Sequence, residues 1–172
     1  NVATRVRTPF TNERFRLYVN PDVVGGEIAG AVKNIMAIAG GVSAGLGLGD
    51  NAMAALMTRG LHEITRMGMA MGGQQDTFAG LAGMGDLIVT CSSEHSRNRR
   101  VGWRMAHGER LEEIIESMNM VAEGVKTTRA VHQWAQQNGL EMPITAVVYG
   151  MLFDGLDPRA AMDSLMTREP KN

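Results

Sequence analysis

Residues 28–49 read IAGAVKNIMAIAGGVSAGLGLG, and Lys33 is the only charge among them. A run of this length leaves two solutions, a membrane span or the inner helix of a core. The lysine and the glycine-rich second half, GGVSAGLGLG, favour a buried core helix followed by a loop, with no membrane span. Lys33 itself then needs an account, because burying an unpaired ammonium costs several kcal/mol. Either its stem packs while its head reaches water, or it is a desolvated lysine that gives and takes a proton.

The rest of the chain supplies helices to pack around such a core. NVATRVRTPF reads as a short helix and TNE as a turn; RFRLYVN alternates Phe15, Leu17 and Val19 and reads as a strand. A lone short strand is not stable, so this one predicts missing sequence upstream. From Asp22 the pattern is helical: residues 21–42, then a helix capped by Asp50 or Asn51 and stopped at Gly72–Gly73. Shorter pieces follow at DTFAGLAG and MGDLIVTC. Ser96 caps a helix that ends at Gly108, and RLEEIIESM makes a short amphipathic one. Asn138–Gly139 closes another, Pro143 starts the next, and Asp157 with Pro158 opens the last, before a frayed tail EPKN.

A chain of 172 residues, 44% hydrophobic and 20% charged, can build one sizeable core. Its 21 glycines and 14 methionines predict close approach of helices, or of backbone and ligand, with flexible filling between. The net charge of −1 supplies no global field for nucleic acid or an anionic membrane. Cys91 is the only cysteine, which rules out an intrachain disulfide and fits a reducing compartment; a cytoplasmic protein is expected. The start lacks the apolar core of a signal peptide, and its first residue, Asn1, predicts a piece of a longer protein. His62, His95, His107 and His132 share no ligand spacing, so no metal site is expected.

Three places can carry chemistry. The first is Lys33 with Asn34. The second is LAGMGDLIVTC, where Asp86 is either a carboxylate favoured by a helix N-terminus or the partner of Lys33. The third is SRNRR. Ser96 at a helix start, followed by Arg97 and Asn98, has the makings of a phosphate cradle or is merely a solvated basic turn. GLGLGD follows a helix rather than a strand, so it fails the context of a dinucleotide loop.

Together these stretches resemble one family. FRLYVNPDVVGGEIAGAVKN, FAGLAGMGDLIVTCSSEHSRNRRVG, VAEGVKTTRAV and EMPITAVVYGMLFDG are similar, in order, to the NAD(P)-dependent glycerol-3-phosphate dehydrogenases of bacterial type. The resemblance is to their C-terminal part only. It implies an all-α fold of the 6-phosphogluconate-dehydrogenase-like type over residues 21–172. Residues 1–20 would be the helix and closing strand of a dinucleotide-binding domain. It further implies that Lys33 is the catalytic proton donor and acceptor, and that Lys33, Asp86, Ser96, Arg97 and Asn98 bind substrate. Arg97, Val121 and Glu123 would touch NAD or NADP, and Asn34 and Thr90 would stand behind them.

The reaction implied is the interconversion of sn-glycerol 3-phosphate and dihydroxyacetone phosphate, feeding phospholipid synthesis, in a homodimer. A chain without the dinucleotide-binding domain is expected to be inactive alone. The competing readings are a self-associating helical module without redox chemistry and a related two-domain hydroxyacid dehydrogenase.

Overall fold

The computed structural model describes residues 2–118 and 122–167, all of its regular elements helical. The helices are α1 (Val2–Phe10), α2 (Val23–Gly45), α3 (Gly49–Ala70), α4 (Gln75–Ala79), α5 (Asp86–Ser92) and α6 (Arg97–Ala106). They continue as α7 (Leu111–Ser117), α8 (Glu123–Gln137), α9 (Pro143–Phe153) and α10 (Pro158–Met166), and a π-helical turn, Leu81–Gly85, leads into α5. The tail EPKN lies outside the described residues.

The apolar run forms α2, and it is the centre of the fold. It packs on α3, α4, α5, α6, α8 and α9. Val32, Ile35, Met36, Ile38 and Val42 are completely buried. Among the described residues α2 is the one helix long and apolar enough to cross a membrane, but 67% of that stretch is buried against its neighbours. It is therefore built as a core helix. Asp22 caps it, accepting from the Gly25 amide at 2.8 Å, and also takes the Gln74 amide and the Thr77 hydroxyl at 2.7 Å each. These bonds, Gln74 first, hold its carboxyl below the usual range.

Glycines set the closest crossing. A Cβ at Gly41 would lie 1.9 Å from the Arg99 carbonyl oxygen, and one at Gly102 would lie 1.9 Å from that of Ile38. A Cβ at Gly45 would lie 2.6 Å from Ala106 Cβ. Helices α2 and α6 thus run alongside each other backbone to backbone, in the same sense; α2 continues past Val42 to Gly45, and the expected loop is a short turn over 46–48. Contact this close requires residues without side chains.

At the far side of the core, Glu63 of α3 is buried and caps α9. It accepts from the Ile144 amide at 2.6 Å, the Thr145 amide at 3.2 Å and the Thr145 hydroxyl at 3.1 Å. Pro143, at the first position, has no amide to satisfy, so the carboxylate covers the next two. Burial pushes Glu63 up to about 7 despite these bonds and the charge of Arg66.

Two expectations need correction. Residues 14–20 form no strand among the described residues. Every other element is helical, so no edge is available to pair with, and Phe15, Tyr18 and Val19 stand exposed. Neither Asp50 nor Asn51 caps α3; the cap position is Leu48, without a side-chain bond, and both polar residues lie inside the first turn. The turn at Asn12 is present, its Oδ1 accepting from the Arg14 and Phe15 amides at 2.9 and 3.0 Å.

Candidate active site

Lys33 does not simply reach for water. Its Nζ donates to Asp86 Oδ2 at 2.5 Å, and the two side chains are 19% and 35% exposed. A charge-assisted bond of this kind gives the ammonium the partner that its partial burial requires. Asp86 is brought to it by the π turn, whose wider coil is closed by the Gly85 amide bonding Gly80 O at 3.2 Å. Gly83 lets that turn seat on α4, since a Cβ there would lie 2.2 Å from Phe78 O. Thr90, one turn along α5, donates to Asp86 O at 2.6 Å and approaches Asp86 Oδ1 at 3.3 Å. The carboxylate is thus fixed from both sides, with Lys33 keeping protons on Nζ for another acceptor.

The next residue begins a second network. Asn34 Nδ2 donates to Gly30 O at 3.2 Å, and Asn34 Oδ1 accepts from Asn98 Nδ2 at 2.9 Å. Asn98 Oδ1 in turn accepts from the Gly124 amide at 2.9 Å. Asn98 is 8% exposed and held at both ends, so what remains for a ligand is its second Nδ2 hydrogen. Gly124 has no room for a side chain: a Cβ would lie 2.7 Å from Asn98 Oδ1 and 2.8 Å from Asn34 O. This amide chain fixes the starts of α6 and α8 against α2.

Ser96 caps α6, accepting from the Arg99 amide at 3.3 Å. Arg97 is exposed at the first position, and its guanidinium has no partner among the described residues. Glu123 is exposed in the first turn of α8. Val121 lies outside the described residues. Lys33, Asp86 and Thr90 therefore form one cluster, and Asn34 and Asn98 a second. Ser96 and Arg97 adjoin the second in sequence, and all converge on residues 33–34 of α2. The structure adds Gly124, whose part in the network has no signature in a single sequence. Cys91, beside this region, is fully buried. Burial pushes its thiol up to about 12 against the charges of Lys33 and Arg99, so it is no nucleophile.

The site is open on one side. Leu81, Met84, Ile88 and Val89, flanking Asp86 in sequence, are 67%, 42%, 46% and 59% exposed. Four exposed apolar side chains thus stand together on one short segment beside the Lys33–Asp86 pair in sequence.

The fold is that of the all-α C-terminal domain of glycerol-3-phosphate dehydrogenases. The crystal structure of the enzyme from Coxiella burnetii matches with a TM-score of 0.92 at 44% identity, over 97% of this chain and 51% of that one. The enzyme from Saccharomyces cerevisiae matches with a TM-score of 0.85 at 31% identity, over 94% of this chain and 47% of that one.

Residues 22–163 match the family described as NAD-dependent glycerol-3-phosphate dehydrogenase C-terminus, and the chain belongs to it. Among curated relatives, the glycerol-3-phosphate dehydrogenases [NAD(P)+] of Bacillus mycoides and Bacillus thuringiensis are each 58% identical over 99% of this chain and 50% of theirs. The chain spans about half the length of these relatives.

Proposed function

We propose that this chain is the substrate-binding and catalytic half of a glycerol-3-phosphate dehydrogenase, interconverting sn-glycerol 3-phosphate and dihydroxyacetone phosphate. Residues 21–172 are the working helical domain, and residues 1–20 are the end of a dinucleotide-binding domain. The observation that carries this reading is the Lys33–Asp86 pair, partly buried and flanked in sequence by exposed apolar residues.

The exposed Arg97 guanidinium and the exposed Glu123 carboxylate fit a role at the edge of a dinucleotide, because neither is consumed by a bond among the described residues. NAD or NADP, when bound, supplies or accepts the hydride. The substrate phosphate sits at the start of α6, where the Arg97 fork and the first amides of the helix favour an anion; Ser96 shapes that start as its cap. Lys33 Nζ gives a proton to the oxygen of the carbonyl being reduced, and takes it back from the alcohol in the other direction. Its charge also stabilises the negative charge that develops on that oxygen. Asp86 aims the ammonium, and Thr90 aims Asp86. Asn34 and Asn98 hold the α6 start at a fixed distance from Lys33. Val121 belongs with Glu123 on the cofactor side.

The domain is cytoplasmic and works as a homodimer in the whole enzyme; the single thiol, inert and buried, suits the first point, and sedimentation of the whole enzyme tests the second. The chemistry is tested by joining the chain to the N-terminal half of one of the 58% identical relatives. The chimera should oxidise glycerol 3-phosphate with coenzyme, and Lys33→Ala should cut turnover by at least a thousandfold with unchanged circular dichroism. Undiminished turnover in the Lys33→Ala chimera would remove the lysine from the mechanism.

A further inference from the structure

A second charged surface lies farther along α6. Glu94, Arg99, Arg100, Trp103, Arg104 and Glu109 line a groove of 440 Å³. Arg104 is already neutralised, its Nε donating to both carboxylate oxygens of Glu109 at 2.9 Å. That leaves the guanidiniums of Arg99 and Arg100 against the single carboxylate of Glu94. Arg99 Nε is buried and has no hydrogen-bond partner among the described residues. Its backbone is fixed, because its carbonyl abuts Gly41 at the α2–α6 crossing. A buried donor on a fixed backbone without an acceptor calls for one from outside. Trp103 forms a 42%-exposed wall, braced by His107 at 3.9 Å between ring centroids.

We infer that this groove is a second anion site, taking the oxyanion of a small metabolite, phosphate ester or carboxylate, on Arg99 and Arg100. Guanidinium forks match such oxygens in pairs, and the aromatic wall lowers the exposure of the bonds they make. The site is separate from the phosphate position at the start of α6, since neither Ser96 nor Arg97 lines the groove.

Trp103 is a built-in reporter. In a Trp134→Phe background it is the only tryptophan, and its emission is followed while the 172-residue chain is titrated at constant ionic strength with inorganic phosphate or with citrate. A saturable change with phosphate alone marks a phosphate site, and one with citrate alone a carboxylate site; a response to both marks a general oxyanion site. Arg99→Met should weaken the response at least tenfold and Arg100→Ala at least threefold, with the helical signal retained. Arg97→Ala should leave it unchanged. Absence of a saturable response to either anion would overturn the inference. So would loss of the response in Arg97→Ala, or full retention in Arg100→Ala should Arg99→Met not fold. A failed turnover test of Lys33 would leave this result standing, because the readout uses no reaction.

Discussion

Gly102→Ala is, like Gly41→Ala, among the most severe small changes this fold can be given. The added carbon would stand 1.9 Å from Ile38 O and 2.9 Å from both Ile38 C and Val42 N, all of them backbone atoms of α2. Ordinary contact begins near 3.4 Å, so the two helices must part by about 1.5 Å, and no rotamer can relieve them. Alanine gains roughly 1 kcal/mol over glycine inside a helix. Overpacking costs roughly 1–3 kcal/mol, and more when rigid backbone is the obstacle. The net loss should be about 2 kcal/mol, which for a chain of this size lowers Tm by roughly 5 °C. Gly30→Ala, in the same central helix, is the control: nothing lies within 4 Å of its added carbon. It should gain roughly 0.5–1 kcal/mol and raise Tm by about 2 °C. Melts followed by far-ultraviolet circular dichroism read both. A Gly102→Ala chain that melts at or above the wild-type temperature would refute the claim that backbone contact sets this crossing.

Glu63 makes stability depend on pH. The folded chain holds its proton more tightly than the unfolded chain does, so its contribution is intact below about pH 4.5 and lost as pH rises through about 7. At about 1.4 kcal/mol per unit this is a loss of about 3 kcal/mol, and Glu63→Gln should flatten it in urea titrations across that range. Asp22 works the other way, since its folded carboxyl is held low; its contribution vanishes as pH falls through the acid range, and Asp22→Ala should lower Tm at neutral pH. Asn98→Ala strands Asn34 Oδ1 and the Gly124 amide. It should cost roughly 1–3 kcal/mol, with faster hydrogen exchange at Gly124. Cys91 should resist iodoacetamide at pH 8 in the native chain and react fully in urea.

Much of this was legible in the sequence because the signals are local. Helix stops at Gly72, Gly108 and Gly139 all fall at positive φ, as a helix end favours. Ser96 and Asp157 cap the helices expected of them. The pairing of Lys33 with Asp86 was readable as an alternative because each is the lone charge of its stretch. What the sequence hid depends on long-range geometry. Glu63 sits 81 residues from the amide it caps, and nothing near it in the chain announces Ile144. Asn98 was expected as a phosphate contact beside Ser96 and Arg97, not as a buried bridge between helices. Its burial follows from the glycine crossing, which brings α6 close enough for its amide to bridge α2 and α8. The strand expected at 14–20 failed for a different reason: alternation describes a segment's two faces, not whether a partner edge exists.

The glycine crossing also limits how this chain can change over time. Asn34 meets Asn98, Ile38 meets Gly102, and Gly45 meets Ala106, one helix read against the other like two scales of a vernier. Loss of a single residue inside either scale would turn everything beyond it by about 100° and shift it by about 1.5 Å. The glycines would then face solvent and side chains would face the partner backbone. Substitutions elsewhere on these helices can accumulate, but insertions and deletions within 34–45 or 98–106 cannot be absorbed locally. Length, more than residue identity, is the heritable constraint here, and gaps between distant relatives belong in the connections rather than in these two segments.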